Sequence, residues 1–127
     1  MRPCLLVAVL CLAGSACRNN TGPIDHLVVL DVDKVEAPAT ISSTSPLDVV
    51  LTVLTNPCQS FERIEADRLS SSAKLTAIGH DPEKGCTNLG VLQPKSYRLE
   101  PPFVPGTFTI TVDRGRVSPL VATIQVR

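Results

Sequence analysis

The chain has 127 residues, with 12 Lys and Arg against 12 Asp and Glu, 43% hydrophobic and 3% aromatic side chains, and no Trp. That length is enough for one domain with a real core. Zero formal charge and no long like-charge run exclude an electrostatic case for binding nucleic acid or an anionic membrane surface.

The first stretch, MRPCLLVAVLCLAGSAC, has three physical parts. Arg2 makes its start positive, residues 4–13 are apolar and uncharged, and Gly14, Ser15 and Ala16 are small. That order is the secretory signal pattern. From Cys4 to Ala16 there are 13 residues, short of the roughly 20 that a membrane-spanning helix needs. A removed leader over residues 1–16 is therefore expected over a permanent anchor. Small residues before a cysteine at the end of an apolar core resemble the lipobox of bacterial lipoproteins. The resemblance implies that the Cys17 thiol receives a diacylglyceryl group and becomes the first residue after cleavage. Gly14 departs from the pattern, where a large aliphatic residue is usual. Gly14 and Ala16 also satisfy the small-x-small rule of ordinary signal peptidase, which would release a soluble protein beginning at Cys17. Arg18 stands where an aspartate commonly retains such proteins at the inner membrane. By the same resemblance, the chain is expected at the outer membrane of the cell envelope. The periplasmic or secreted form is the alternative.

Removing 16 residues from 127 leaves 111, in which Cys17, Cys58 and Cys86 remain. An odd cysteine in a secreted chain calls for an explanation. Lipidation of Cys17 provides one, and an oxidising compartment then lets Cys58 and Cys86 join. Two buried free thiols are the other reading of that pair. A metal site is not expected, because His partners are missing at the usual spacing.

Residues 18–23, RNNTGP, read as a short polar tether. Residues 24–127 are expected to be the domain. Residues 24–32 form the first apolar segment, and residues 35–38 continue it after a break. Pro38 suits an edge or a change of sheet. Residues 47–55, LDVVLTVLT, are the strongest strand, with Leu47, Val49, Leu51 and Val53 on one face. Asn56 and Pro57 end it. Residues 61–69, FERIEADRL, place Phe61, Ile64 and Arg68 together as in a helix, but the absence of an N-cap and of length favours a strand. Residues 73–79 alternate Ala73, Leu75 and Ala77 inward. Residues 80–94 are expected to be a fifteen-residue loop, functional or tied down, with Cys86 pinning it to the end of the 47–55 strand. A short strand at 96–99 and a rigid corner, EPPFVPG, at 100–106 follow. Residues 107–113 alternate Phe108, Ile110 and Val112 inward. A connection runs from Arg114 to Pro119. Residues 120–126 return with Ala122, Ile124 and Val126 inward, completing a hairpin.

Seven or eight short strands at regular spacing imply an all-β sandwich. GTFTITV followed by a final apolar strand is similar to the closing pair of bacterial immunoglobulin-like domains. With Cys58 two residues before Ser60-Phe61, and Gly-Cys-Thr at 85–87, the chain resembles small lipoproteins carrying such a domain. The antibody disulfide is not carried over, because Trp is absent and Cys86 falls in a loop. A loop staple near one end of the sandwich is expected instead.

Candidate sites are few. His80 and Asp81 are adjacent, and His is a common general base. Neighbours on an extended chain point opposite ways, however, and no G-x-S-x-G is present. A catalytic site is therefore not expected. Asp31 with Asp33, and Asp81 with Glu83, offer carboxylates but fall short of the six to eight oxygens of a calcium site. Asn56-Pro57 resembles the N-P loop of chagasin-type cysteine-protease inhibitors, whose other loops are missing. Tyr97, Phe61 and Phe103 are a possible contact patch, set against ordinary packing. The expectation is a membrane-anchored, non-enzymatic module without a cofactor. It binds an envelope protein or glycan through the loops around Cys58 and residues 80–94, with His80, Asp81 and Glu83 as the binding candidates. A released inhibitor or ligand-binding domain is the alternative.

Overall fold

The computed structural model describes residues 26–82, 86 and 89–127. Cys17, the tether and Glu83 lie outside the described residues. Those described form nine strands and no helix: β1 (His26–Val29), β2 (Asp31–Glu36), β3 (Thr40–Ile41), β4 (Leu47–Thr55), β5 (Ser60–Arg68), β6 (Ser72–Asp81), β7 (Val91–Leu99), β8 (Gly106–Arg114) and β9 (Val117–Val126).

Two sheets result. One is three-stranded, in the order β2-β4-β7. The other runs β1-β6-β8-β9-β3, with β5 also on β6. Strand β6 is shared along its length. Residues Ile78 to Asp81 pair with β1, while Ser72 to Thr76 pair with β8 in parallel. Strand β5 takes the opposite edge of β6.

Period-two patterning explains the layering. On β4 every odd residue from Leu47 to Thr55 is buried, and the even ones are half-buried or exposed. Ala73, Leu75 and Ala77 of β6, Phe108, Ile110 and Val112 of β8, and Ile124 and Val126 of β9 meet them from the other sheet. A core of Val, Leu and Ile in extended backbone fits the β-branched preference for the pleat. The expected inward residues of these four strands are the observed ones, except that Ala122 is only half-buried.

The structure corrects three expectations. The run at 24–32 is not one strand. Chain direction is kept, but Leu30 carries the backbone from the larger sheet to the smaller one. Leu30 N–H donates to Ala77 O at 2.8 Å, and Asp31 pairs with Leu54 of β4. A continuous apolar run does not show where the inward face changes sheet. The loop expected at 80–94 is also shorter. His80 and Asp81 are the last residues of β6, held by Leu27 and His26 of β1. At its other end, β7 begins at Val91 and includes Pro94 opposite Thr52. Proline is tolerated there because β7 is an edge strand and Pro removes only one donor. Finally, the 114–119 connection is a tight turn around Gly115, and β9 already starts at Val117. The strand at 61–69 is observed as β5, and Pro38 lies where the chain changes sheet from β2 to β3.

Asp48 and Arg98 face each other across β4 and β7 on the outer surface. Arg98 Nε donates to Asp48 Oδ1 at 2.8 Å and Nη2 to Oδ2 at 3.2 Å. This hydrogen bonding holds the Asp48 carboxyl below its ordinary range and raises the guanidinium above its own.

Candidate functional site

The loops singled out in the sequence meet at one pole of the sandwich. Strand β4 ends at Thr55, and a short turn carries the chain across to Ser60 at the start of β5. Asn56 builds that turn. Its Oδ1 accepts the N–H groups of Cys58 and Gln59, each at 2.9 Å, and its own N–H donates to Gln59 Oε1 at 3.2 Å. Side-chain capture of the following backbone is the ordinary use of Asn in turns. The Asn56 side chain is thus occupied within the turn, which gives the likeness to a presented inhibitor loop no geometric support.

Cys58 sits in this turn and Cys86 in the connection between β6 and β7. Their Cα atoms are 6.0 Å apart, the usual separation for a disulfide, and the sulfurs are joined. The cross-link closes a sequence separation of 28 residues. It ties two connections at the edge of the sandwich, as expected for a loop staple.

His80 and Asp81, adjacent on β6, have different partners. His80 Nε2 lies 3.2 Å from Glu62 Oε1. Glu62 occupies the register irregularity of β5 between Phe61 and Arg63, and Arg63 also bonds it. Asp81 Oδ2 accepts a hydrogen bond from Gln59 Nε2 at 3.1 Å, which links the end of β6 to the turn that holds Cys58. The two neighbours therefore do not form a dyad. Glu62 was invisible as a partner because a bulge shifts the register by one and no periodic pattern reports it.

The other candidates disperse. Asp31 faces Arg114 of β8, with Oδ1 3.7 Å from Nε, an ion pair between the sheets. Asp33 is exposed. Among the described residues, no group of three or more His, Cys, Asp or Glu is placed to hold a metal ion. Of the three aromatics, Phe103 is buried and meets Phe108 edge-on, with ring centroids 5.2 Å apart. Phe61 is half-buried beneath Lys95, whose Nζ is 4.8 Å from the ring centroid, and Tyr97 packs against the core. They do not form a shared surface patch.

Arg68 was missed at the opposite pole. Its guanidinium donates to Glu100 O and, at 2.7 Å, to Pro102 O, and lies 4.4 Å from the centre of the Phe103 ring. It clamps the 100–106 corner to β5. An arginine closing a Pro-rich corner from a distant strand leaves no local sequence signal. A depression of about 150 Å³ between β5 and β6, lined by Glu65, Ala66, Asp67, Lys74 and Thr76, is smaller than an ordinary ligand site. It is also on the sheet face, away from the stapled pole. No family model, curated protein or solved structure matches the chain.

Proposed function

We propose that the chain is a lipid-anchored envelope protein whose folded part is a non-enzymatic binding or assembly module. In this reading, residues 1–16 are removed, Cys17 carries the lipid, and residues 18–23 connect it to the sandwich. The observation that carries the reading is the joining of Cys58 to Cys86. It accounts for two of the three cysteines left after cleavage and leaves Cys17 as the odd sulfur, at the end of a lipobox-like leader. A disulfide also suits a compartment outside the cytoplasm.

The immunoglobulin-like likeness is one of architecture. Antibody-type domains are built on antiparallel sheets, whereas β6 and β8 form a parallel pair inside the larger sheet here. The stapled pole supports a contact role, because a cross-link and side-chain-built turns hold its connections on rigid strands. Such connections are where binding residues concentrate. His80 and Asp81 sit at its margin.

Metabolic labelling with a radioactive fatty acid, followed by membrane fractionation, tests the reading. The parent should carry label and sediment with membranes. Cys17→Ser should lose the label and move to the soluble fraction. Unlabelled parent protein in the soluble fraction would support the released alternative instead.

A further inference from the structure

The described chain begins at His26, opposite Asp81, and so enters the sandwich at the pole where Cys58 and Cys86 are joined. Nine residue steps separate Cys17 from His26. At about 3.5 Å per step, the connection reaches at most roughly 30 Å. A lipid on Cys17 therefore holds this pole within about 30 Å of the bilayer surface.

The same pole displays apolar side chains. Leu27 of β1 is 56% exposed, Leu89 69%, Leu92 of β7 55%, and Val117 at the β8–β9 turn 50%. Val91 is exposed beside them. They come from both sheets and from the connections between them, all at the level of this end of the sandwich. Single exposed apolar residues need no explanation. This set is notable because it gathers where the chain enters. The opposite pole exposes Leu69 and Val104.

Among the described residues, the acids at this pole have partners. Asp31 faces Arg114, Asp81 accepts from Gln59, and Glu62 is held by Arg63 and His80. Arg116 adds an exposed cation at the β8–β9 turn. Apolar side chains bracketed by two ion-paired acids, a hydrogen-bonded Asp81 and an exposed arginine suit the headgroup boundary of a bilayer.

We infer that the stapled pole is a membrane-contacting surface, with Leu27, Leu89, Leu92 and Val117 entering the interface of the bilayer that holds the lipid. This rests on the lipidation reading above and names the partner of the pole as lipid. Tethering makes weak apolar contacts effective, because the surface stays at high local concentration.

The absence of Trp in the chain allows a direct test. Leu89→Trp and Val104→Trp are made in the full chain, and the lipidated proteins are reconstituted into phosphatidylethanolamine–phosphatidylglycerol vesicles with brominated acyl chains. Leu92→Trp provides a second probe of the pole, and circular dichroism confirms that each variant is folded. The expected result is emission from positions 89 and 92 that is blue-shifted and quenched severalfold more than emission from position 104. Equal quenching at all three positions, or none in vesicle-bound protein, would overturn the inference while leaving the anchor in place. Shielding of position 89 by added envelope protein or glycan fragments, without bromine quenching, would assign the pole to that partner and also overturn it. Protein whose mass shows no acyl chain would remove the reading beneath it.

Discussion

Gly79→Ala tests how closely β5 and the sheet-switching Leu30 approach the stapled end of β6. A Cβ built at Gly79 would collide with the backbone carbonyl of Ser60 and stand 2.6 Å from Leu30 Cδ1. Ser60 begins β5 just before its register irregularity, and Leu30 is the buried residue where the chain changes sheet. Neither obstacle is the loose end of an exposed side chain. Overpacking of this kind costs about 1–3 kcal/mol. An alanine in a strand recovers about 0.5–1 kcal/mol through the narrower unfolded backbone. Contact with a backbone carbonyl places the cost at the upper end, so the net loss should be about 2 kcal/mol. For a domain near 100 residues, that corresponds to roughly 8–15 °C in melting temperature. Urea titration by circular dichroism, run without reductant, measures it against the parent. The slope of the transition should stay constant while the midpoint falls. Unchanged or increased stability would show that β5 and Leu30 do not close on β6 as described.

Four further outcomes follow from the same structure. Cys58→Ser should lower stability by about 3–4 kcal/mol on the chain-entropy estimate for the loop it opens, and alkylation without reduction should label neither cysteine in the parent. Arg68→Ala should cost about 1–2 kcal/mol, by losing its carbonyl hydrogen bonds and the Phe103 contact, and should broaden the Phe103 and Phe108 ring signals in NMR. At Gly115, with φ of +69° and nothing within 4 Å of an added Cβ, Ala should destabilise more than Asn, which tolerates this backbone region. For Asp48, the folded carboxyl titrates below its unfolded value. Its contribution is therefore present above the unfolded pKa and lost as pH falls through the folded one. The parent should exceed Asp48→Asn slightly near neutrality and converge with it in acid, with the gap narrowing in high salt.

The core was legible because alternation reports burial directly. Leu47, Val49, Leu51 and Val53 could be assigned inward without knowing which strands lay beside them, as could Phe108, Ile110 and Val112. Sheet membership was not legible. LVVL at 27–30 is apolar throughout, so the switch at Leu30 depends on which sheet each half can pair with. Pro94 made a strand look like a loop, since its tolerance depends on β7 lying at an edge. The staple followed from counting sulfurs, whereas Glu62 beside His80 and Arg68 beneath the corner are products of long-range register. The gathering of Leu27, Leu89, Leu92 and Val117 required topology as well. These residues are scattered over ninety positions, and only the pairing of β1 with the end of β6 and the parallel run of β8 bring them to one end.

The central claim is that a lipid on Cys17 holds a folded, oxidised domain at a membrane. Intact mass of the protein purified from the membrane fraction tests it most directly. The expected species begins at Cys17, carries acyl chains and resists alkylation at Cys58 and Cys86 until reduced. A species that begins at Cys17 without acyl chains, or that retains residues 1–16, would contradict it.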